Sequence, residues 1–390
     1  VYEAPETVRI DNRGNSPDIV FHPADIASEI NNVRHLDPYR LMQDRSLNPG
    51  NFDGLRVKTV DIAGTEHLSS LVTSAALPLR GIVSVRWDWD WTNPDKPEFT
   101  LKVDGEQLFA GSGHWREITA DDAAQYWHPA QESGKIDVPG DNWPAKVNMT
   151  LAELAADVYL VRGVRTGFQH MVVNTPEGLI VADAPAGWVE FHHVPPADLV
   201  PGLGVSGLSE LLVEFLAKNF PERPILATAI THMHDDHAGG ARAFAAAGAA
   251  IYTTRESGVF LANALNRSSM PNDRLARLRE PAAVSPIETF INIGGPGNQV
   301  RLINMGKTPH VDSMLGIWAV DRGYFFVSDI HVPGDDSSAP RDDRAQSECW
   351  FARWAVDNLP AETLVVNSHS SPVTPVARLA QYLDHPLCQH

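Results

Sequence analysis

Thr231-His232-Met233-His234-Asp235-Asp236-His237-Ala238-Gly239-Gly240 places three histidines and two aspartates within positions 232–237, between an apolar run and a glycine pair. The preceding run, Ile225-Leu226-Ala227-Thr228-Ala229-Ile230, has the length and composition of a buried strand. Residues 239–247 read as a helix that Gly248 ends. A loop held between a strand and a helix can aim its side chains at one point. Imidazoles and carboxylates together suit a borderline-soft divalent cation such as zinc. In extended backbone, residues two apart point the same way, so His232 and His234 can share one ion. Asp236 and His237 fall on a tightening turn and can serve a second. Further ligands must come from elsewhere, and three follow apolar runs: His310 after 300–305, Asp329 after 324–328, and His369 after 364–367. Polar groups just past strand ends meet at one edge of a sheet.

The rest of the composition narrows the partners. A chain of 390 residues, 43% hydrophobic and 21% charged, is long enough for two domains with ordinary globular cores. Its formal net charge of −18 and the lack of a Lys/Arg cluster argue against nucleic acid and anionic membrane as partners. No apolar run is long enough to cross a membrane. The expected partner is a small-molecule substrate, with a homo-oligomer possible. A start at Val1 fits a removed signal peptide or a trimmed chain, and the acidic, Trp-rich, Cys-poor composition suits the periplasm or secretion, with the cytoplasm as the other option. Cys349 and Cys388 are read as two unpaired buried thiols, with a single disulfide as the other reading.

Residues 1–150 are expected to form a small β-rich module that ends in a linker over 137–150. A short helix is expected over 25–34, an ordered loop over 39–52 and a strand over 55–62. The alternation over 82–91 puts Trp87, Trp89 and Trp91 on one face and Arg86, Asp88 and Asp90 on the other. That tryptophan face is expected to bury against the second domain. Residues 99–109, turned at Asp104-Gly105, read as a hairpin.

From 151 to 390 the pattern becomes strand and helix in alternation. Strands are expected over 157–161, 169–174, 179–183, 250–254, 300–305, 314–320, 323–328 and 363–367, the pair 314–320 and 323–328 forming a hairpin. Leu208, Leu211, Leu212, Phe215 and Leu216 repeat at helical spacing within 206–218. Residues 255–280 and 348–358 also read as helical, and Thr374 caps a last helix that opens with Pro375.

With these residues in place, the region from about 155 to 385 resembles the metallo-β-lactamase-fold hydrolase superfamily. His232, His234, Asp236 and His237 match its central motif, Asp183 the strand-end acid before it, His310 the third histidine, Asp329 the acid that bridges two metals, and His369 the last histidine. Pro309-His310-Val311 and Ser368-His369-Ser370 stand where Gly-His-Thr and Gly-His-Gly are more usual. The resemblance implies an α/β fold, an αββα sandwich with its site along one edge of the two sheets. It implies two Zn²⁺ ions, with iron or manganese as alternatives. One would be held by His232, His234 and His310, the other by Asp236, His237 and His369, with Asp329 between them. Asp236 and Asp329 would serve the reaction, through a hydroxide shared by ions about 3.5–4 Å apart. Asp183 and Asp235 would support the ligands from behind.

The implied chemistry is hydrolysis of an ester, lactone or related acyl bond. The bridging acid argues against a dedicated β-lactamase, and the scarcity of cations near the ligands, apart from Lys307 and Arg322, favours a neutral or monoanionic substrate. The alternatives are a phosphodiesterase or sulfatase, a promiscuous β-lactamase, or a non-catalytic ligand-binding protein with a vestigial metal site. Trp188, Phe191, His192 and His193 are candidate substrate contacts, and residues 333–347 have the composition of a lid.

Overall fold

The computed structural model describes residues 8–10, 19–21, 52–77, 79, 81–112, 149–164, 168–185, 207–267, 273–334, 337–369 and 372–389. The helix expected over 25–34, the loop over 39–51, the linker over 137–148, and Trp188, Phe191, His192 and His193 lie outside the described residues. The chain divides into two compact units. One comprises residues 1–146, 188–205 and 268–271, and the other 147–187, 206–267 and 272–390.

In the first unit, β1 (Val8–Ile10), β2 (Ile19–Phe21), β3 (Phe52–Ile62), β4 (Thr65–Leu77), β5 (Gly81–Asp90), β6 (Glu98–Val103) and β7 (Glu106–Ser112) form one sheet in the order β2-β1-β7-β6-β5-β4-β3. Every pairing in it is antiparallel. Asp104 (φ 51°) and Gly105 (φ 84°) both take the left-handed conformation that a tight two-residue hairpin turn needs. Trp87, Trp89 and Trp91 are buried while Arg86 and Asp90 are exposed, as the alternation requires. Trp87 stacks on Trp89, and Trp91 lies against His67 and donates its ring N–H to the Leu68 carbonyl. Strand β4, with the sequence TEHLSSLVTSAAL, was not legible in the sequence. Its Ser and Ala residues carry little strand preference, and pairing on both sides with β3 and β5 supplies what composition lacks.

The second unit holds two sheets. Strands β8 (Thr150–Ala155), β9 (Val158–Arg162), β10 (Gln169–Thr175), β11 (Gly178–Ala182), β12 (Ile225–Ala229), β13 (Ala250–Thr254) and β14 (Val284–Ile287) form a mixed sheet in the order β14-β13-β12-β11-β10-β9-β8. Strands β15 (Phe290–Ile293), β16 (Val300–Gly306), β17 (Met314–Ala319), β18 (Tyr324–Val327), β19 (Leu364–Asn367) and β20 (Thr374–Pro375) form the other in that order. Leu160, Met171, Ile180 and Ala227 from the first of these pack with Leu302, Ile317, Phe326 and Val366 from the second in one dry cluster. Each of these side chains larger than alanine contributes roughly 1.5–3 kcal/mol on burial, so this interlayer is what joins the sheets. The helices are α1 (Gly207–Asn219), α2 (Asp235–Ala238), α3 (Ala241–Ala246), α4 (Arg255–Leu265), α5 (Arg274–Leu278), α6 (Ala345–Asn358) and α7 (Val376–Tyr382). Helices α6 and α7 share a second core with β18 and β19 through Phe325, Val365, Phe351 and Leu379. The fold is thus an αββα sandwich, with a β-rich N-terminal unit before it. Among the described residues no helix is long and apolar enough to cross a membrane.

Two expectations are corrected. Cys349 and Cys388 are bonded to each other, with Cα atoms 5.2 Å apart, and are not free thiols. Sequence separation hid a pairing that α6 and the turn Pro386–Cys388 bring about by packing in the same core. The last helix begins at Val376, after Pro375. Pro375 therefore takes the capping position itself, and Thr374, paired with Val365, lies one residue too early to cap. Strands β8, β14 and β15 were also missed, since short runs such as VSPI and FINI carry no periodicity long enough to read.

His170, in β10, is fully buried, and its Nδ1–H donates to the Ala182 carbonyl at 3.0 Å. Burial pushes its pKa from 6.5 down to about 4. Below pH 6.5 the unfolded chain binds a proton that the folded chain refuses until about pH 4, so stability falls as pH drops through that window. The expected loss is about 3 kcal/mol. Urea unfolding of metal-stripped protein at about pH 7 and pH 4 should show a loss in the native chain that exceeds the loss in His170→Gln by about this amount. Parallel pH profiles would refute it.

Candidate metal centre

Strand direction gathers the site. Strands β11 and β12 are parallel, so Asp183 and the loop beginning at Thr231 leave the same edge of their sheet. Strands β18 and β19 are parallel, and β16 runs with them because each is antiparallel to β17, so Asp329, His369 and His310 also share an edge. Two contacts join these edges: Leu315 N–H donates to the Thr231 carbonyl at 2.8 Å, and Gln169 N–H to the Ser368 carbonyl at 2.8 Å.

Around that edge two groups of ligand atoms form. His232, His234, His310 and Asp329 make one, and Asp236, His237, His369 and Asp329 the other, each with its atoms within 4.8 Å of one another. His232 Nε2 lies 2.8 Å from His234 Nδ1. Asp329 Oδ1 lies 3.1 Å from His237 Nε2 and 2.5 Å from His369 Nε2. Its Oδ2 lies 3.1 Å from His310 Nε2 and 3.7 Å from His232 Nε2. His232 and His237 are sealed off, while the side chains of His310 and His369 are 12% and 21% exposed, so the centre opens on their side.

Asp183 holds the ligand loop from beneath. Its Oδ1 accepts the Thr231 backbone N–H at 2.7 Å, and its Oδ2 accepts the Thr231 hydroxyl at 3.1 Å. The same Oδ2 accepts His237 Nδ1–H at 2.8 Å, which leaves Nε2 as the free donor atom. Thr231 Oγ1 lies 3.1 Å from His232 Nδ1, so one buried carboxylate orients both rings. His237 sits in α2, and Gly240 follows it where the chain squeezes past its neighbours. A Cβ at Gly240 would lie 2.1 Å from Ser209 Oγ and 2.2 Å from the Pro185 carbonyl, so the turn after the motif accepts only glycine. The backbone of Asp235 lies in α2, but its side chain is outside the described residues.

Electrostatics match a cation-binding role. Burial, reinforced by the neighbouring histidines, holds His232 well below its usual pKa and His234 at about 4, so both imidazoles are neutral and able to bind metal. Burial also opposes the charge on His237, but Asp236, Asp329 and Asp183 overrule it and hold its pKa well above the usual value. Asp329 is likewise buried, and the charges of His237 and His369 keep it ionised well below the carboxylate range. The crowding of imidazole nitrogens and carboxylate oxygens fits a metal site.

Several contributors were not singled out from the sequence. Phe168 packs edge-on against His369 with ring centroids 4.3 Å apart. Thr231, Ser328 and Ser368 are small buried residues whose hydroxyls contact Asp183, Asp329 and each other, which spacing does not reveal. Residues 333–347, expected to be a lid, are braced where described: Tyr382 OH donates to the Ser337 carbonyl at 3.1 Å, Arg341 N–H to Glu348 at 3.2 Å, and Arg344 to the Asp329 carbonyl at 2.9 Å.

Residues 201–369 match the sequence model of the metallo-beta-lactamase superfamily. Among solved structures, a metallo-beta-lactamase from Pontibacter korlensis is 18% identical, over 62% of this chain and 100% of that one, with a TM-score of 0.40. A metallo-beta-lactamase from Hirschia baltica is 16% identical over 60% of this chain and 95% of that one, with a TM-score of 0.40. The stereoselective inverting sec-alkylsulfatase Pisa1 from Pseudomonas sp. is 14% identical, over 60% of this chain but only 40% of that one, with a TM-score of 0.41. No curated protein matches the chain.

Proposed function

We propose that this chain, a member of the metallo-beta-lactamase superfamily through residues 201–369, is a hydrolase that uses two zinc ions to cleave an ester, lactone or related acyl bond of a small molecule. The observation that carries the reading is the Asp329 carboxylate, which turns Oδ1 to His237 and His369 and Oδ2 to His310 and His232. One acid facing two ligand sets supports a bridged pair. Five imidazoles and two carboxylates, with no thiolate among them, support zinc. When bound, such a pair polarises the scissile carbonyl and lowers the pKa of bound water to near neutrality.

The chain's own residues prepare that chemistry. His232, His234 and His310 would fix one ion, and Asp236, His237 and His369 the other. Asp183 holds the loop that carries four of these ligands, and Asp329 spans both sets. His310 and His369 border the open side, where substrate would enter. Arg322, expected near the ligands, lies in the turn before β18, at the other end of that strand from Asp329, and pairs with Asp157, while Lys307 is exposed beside Asp312. That supports a neutral or monoanionic acyl substrate over a polyphosphate. The Cys349–Cys388 bond supports an oxidising compartment, hence the periplasm or secretion.

The test is metal analysis of the purified chain, followed by a panel of chromogenic esters, lactones, phosphodiesters, sulfate esters and cephalosporins. Two ions per chain are expected, with ester or lactone turnover lost to chelator and restored by Zn²⁺. Absence of stoichiometric metal would overturn the hydrolase reading. A preference for phosphodiesters, sulfate esters or cephalosporins would overturn the acyl-ester assignment alone.

A further inference from the structure

Beneath the Asp329 carboxylate lies a pair of hydroxyls that the proposed mechanism does not use. Ser328 and Ser368 are both fully buried, one at the end of β18 and the other at the end of β19. These strands are parallel and adjacent, which brings the two Oγ atoms to 3.3 Å. Ser328 O–H donates to Asp329 Oδ1 at 3.0 Å. Its single proton is then committed, so in the Ser328–Ser368 contact Ser368 must be the donor. Ser328 Oγ also lies 3.2 Å from His237 Nδ1, whose N–H is shared with Asp183. The hydrogen bonds run in one direction, from Ser368 to Ser328 to Asp329.

The direction has a consequence for the two ligand groups. Ser328 holds Oδ1, the oxygen that faces His237 and His369. Oδ2, facing His310 and His232, has no comparable hydroxyl hydrogen bond among the described contacts. Without Ser328, the Asp329 side chain could rotate about its terminal torsion, which is a soft one. Rotation would take Oδ1 off the His237/His369 side.

We infer that the buried Ser328–Ser368 hydroxyl pair is a positioning device that aims the Asp329 carboxylate and so sets the affinity of the Asp236/His237/His369 metal position selectively. The inference rests on the two-metal reading above. Ser328 acts directly on the ligand oxygen, and Ser368 acts through Ser328. Loss of an outer hydrogen bond of this kind costs about 10–100-fold in metal affinity.

The experiment is calorimetric titration of Zn²⁺ into the chelator-stripped full chain, with His369→Ala identifying which binding step belongs to the Asp236/His237/His369 position. Ser328→Ala is expected to weaken that step by about 10–100-fold and to leave the three-histidine step nearly unchanged. Ser368→Ala should weaken the same step by a smaller factor. An intact three-histidine step shows that the variant is folded. A general structural defect would weaken both steps together, and that result overturns the inference, as does a Ser328→Ala titration identical to that of the native chain. If the native chain itself binds fewer than two ions, the two-metal reading fails and this inference fails with it.

Discussion

On the proposed two-metal reading, Asp329→Ala is expected to reduce bound metal from two ions to one or none and to lower turnover by about 10³-fold, roughly 4 kcal/mol of lost transition-state stabilisation. The reason lies in the position of the carboxylate. Both of its oxygens are within 3.1 Å of an imidazole nitrogen, and they point into different ligand groups. Removing it takes one ligand from each group at once and removes the negative charge that would lie between two cations. Six ligands remain, three to each group, but the like charges would then face each other across a buried space where Coulomb repulsion is poorly screened. Asp329→Asn separates shape from charge. It retains the size of the side chain and an oxygen that can accept from Ser328, so a defect close to that of Ala assigns the effect to the lost charge. Metal content by elemental analysis and turnover of whichever panel substrate is cleaved are the two readouts. An Asp329→Ala protein with two ions and at least a tenth of native turnover would sink the bridging role.

Replacing both Cys349 and Cys388 with Ala is expected to destabilise the chain by about 4 kcal/mol. The bond closes a loop of 39 residues, and opening it returns that conformational freedom to the unfolded state. Within the loop lie β19, His369 and α7, so the crosslink also spans a proposed metal ligand and the helix that packs on its sheet. For a unit of this size the loss corresponds to a midpoint roughly 10 °C lower in thermal melting. Both sulfurs are buried in the core around Phe351 and Leu379, so reductant should act slowly on the folded chain and quickly once it opens. Superimposable melts of the native and doubly substituted chains would refute the contribution. The double substitution should leave metal binding at low temperature intact, because neither cysteine touches a ligand group.

Much of the second unit could be read from local pattern. The strand before Thr231, the helix around Leu212, the hairpin over β17 and β18 and the strand before His369 all carry periodicity or turn residues within one short window. Strands β4, β8, β14 and β15 do not, and each is a strand because a neighbour's backbone pairs with it. The correction at Thr374 has the same origin. Thr-Pro before an apolar run is a good helix opening taken alone, but Pro375 pairs with Leu364 in the sheet, so the helix starts one residue later, at Val376.

What the amino-acid order determined by itself is the donor chemistry. His232, His234, Asp236 and His237 are close in the chain, so backbone geometry over six positions is enough to bring their side chains together, and His310, Asp329 and His369 announced themselves by following apolar strands. Tertiary structure alone decided how these donors are shared. The division of the Asp329 oxygens between two groups depends on β16, β18 and β19 running in one direction, and on the second sheet packing so that its loops meet the loop after β12. The same holds for the Ser328–Ser368 contact, the grip of Asp183 on two rings, and the Cys349–Cys388 bond. Each joins residues at least 39 positions apart, a distance at which burial of the common core, and not local conformational preference, sets which side chains meet.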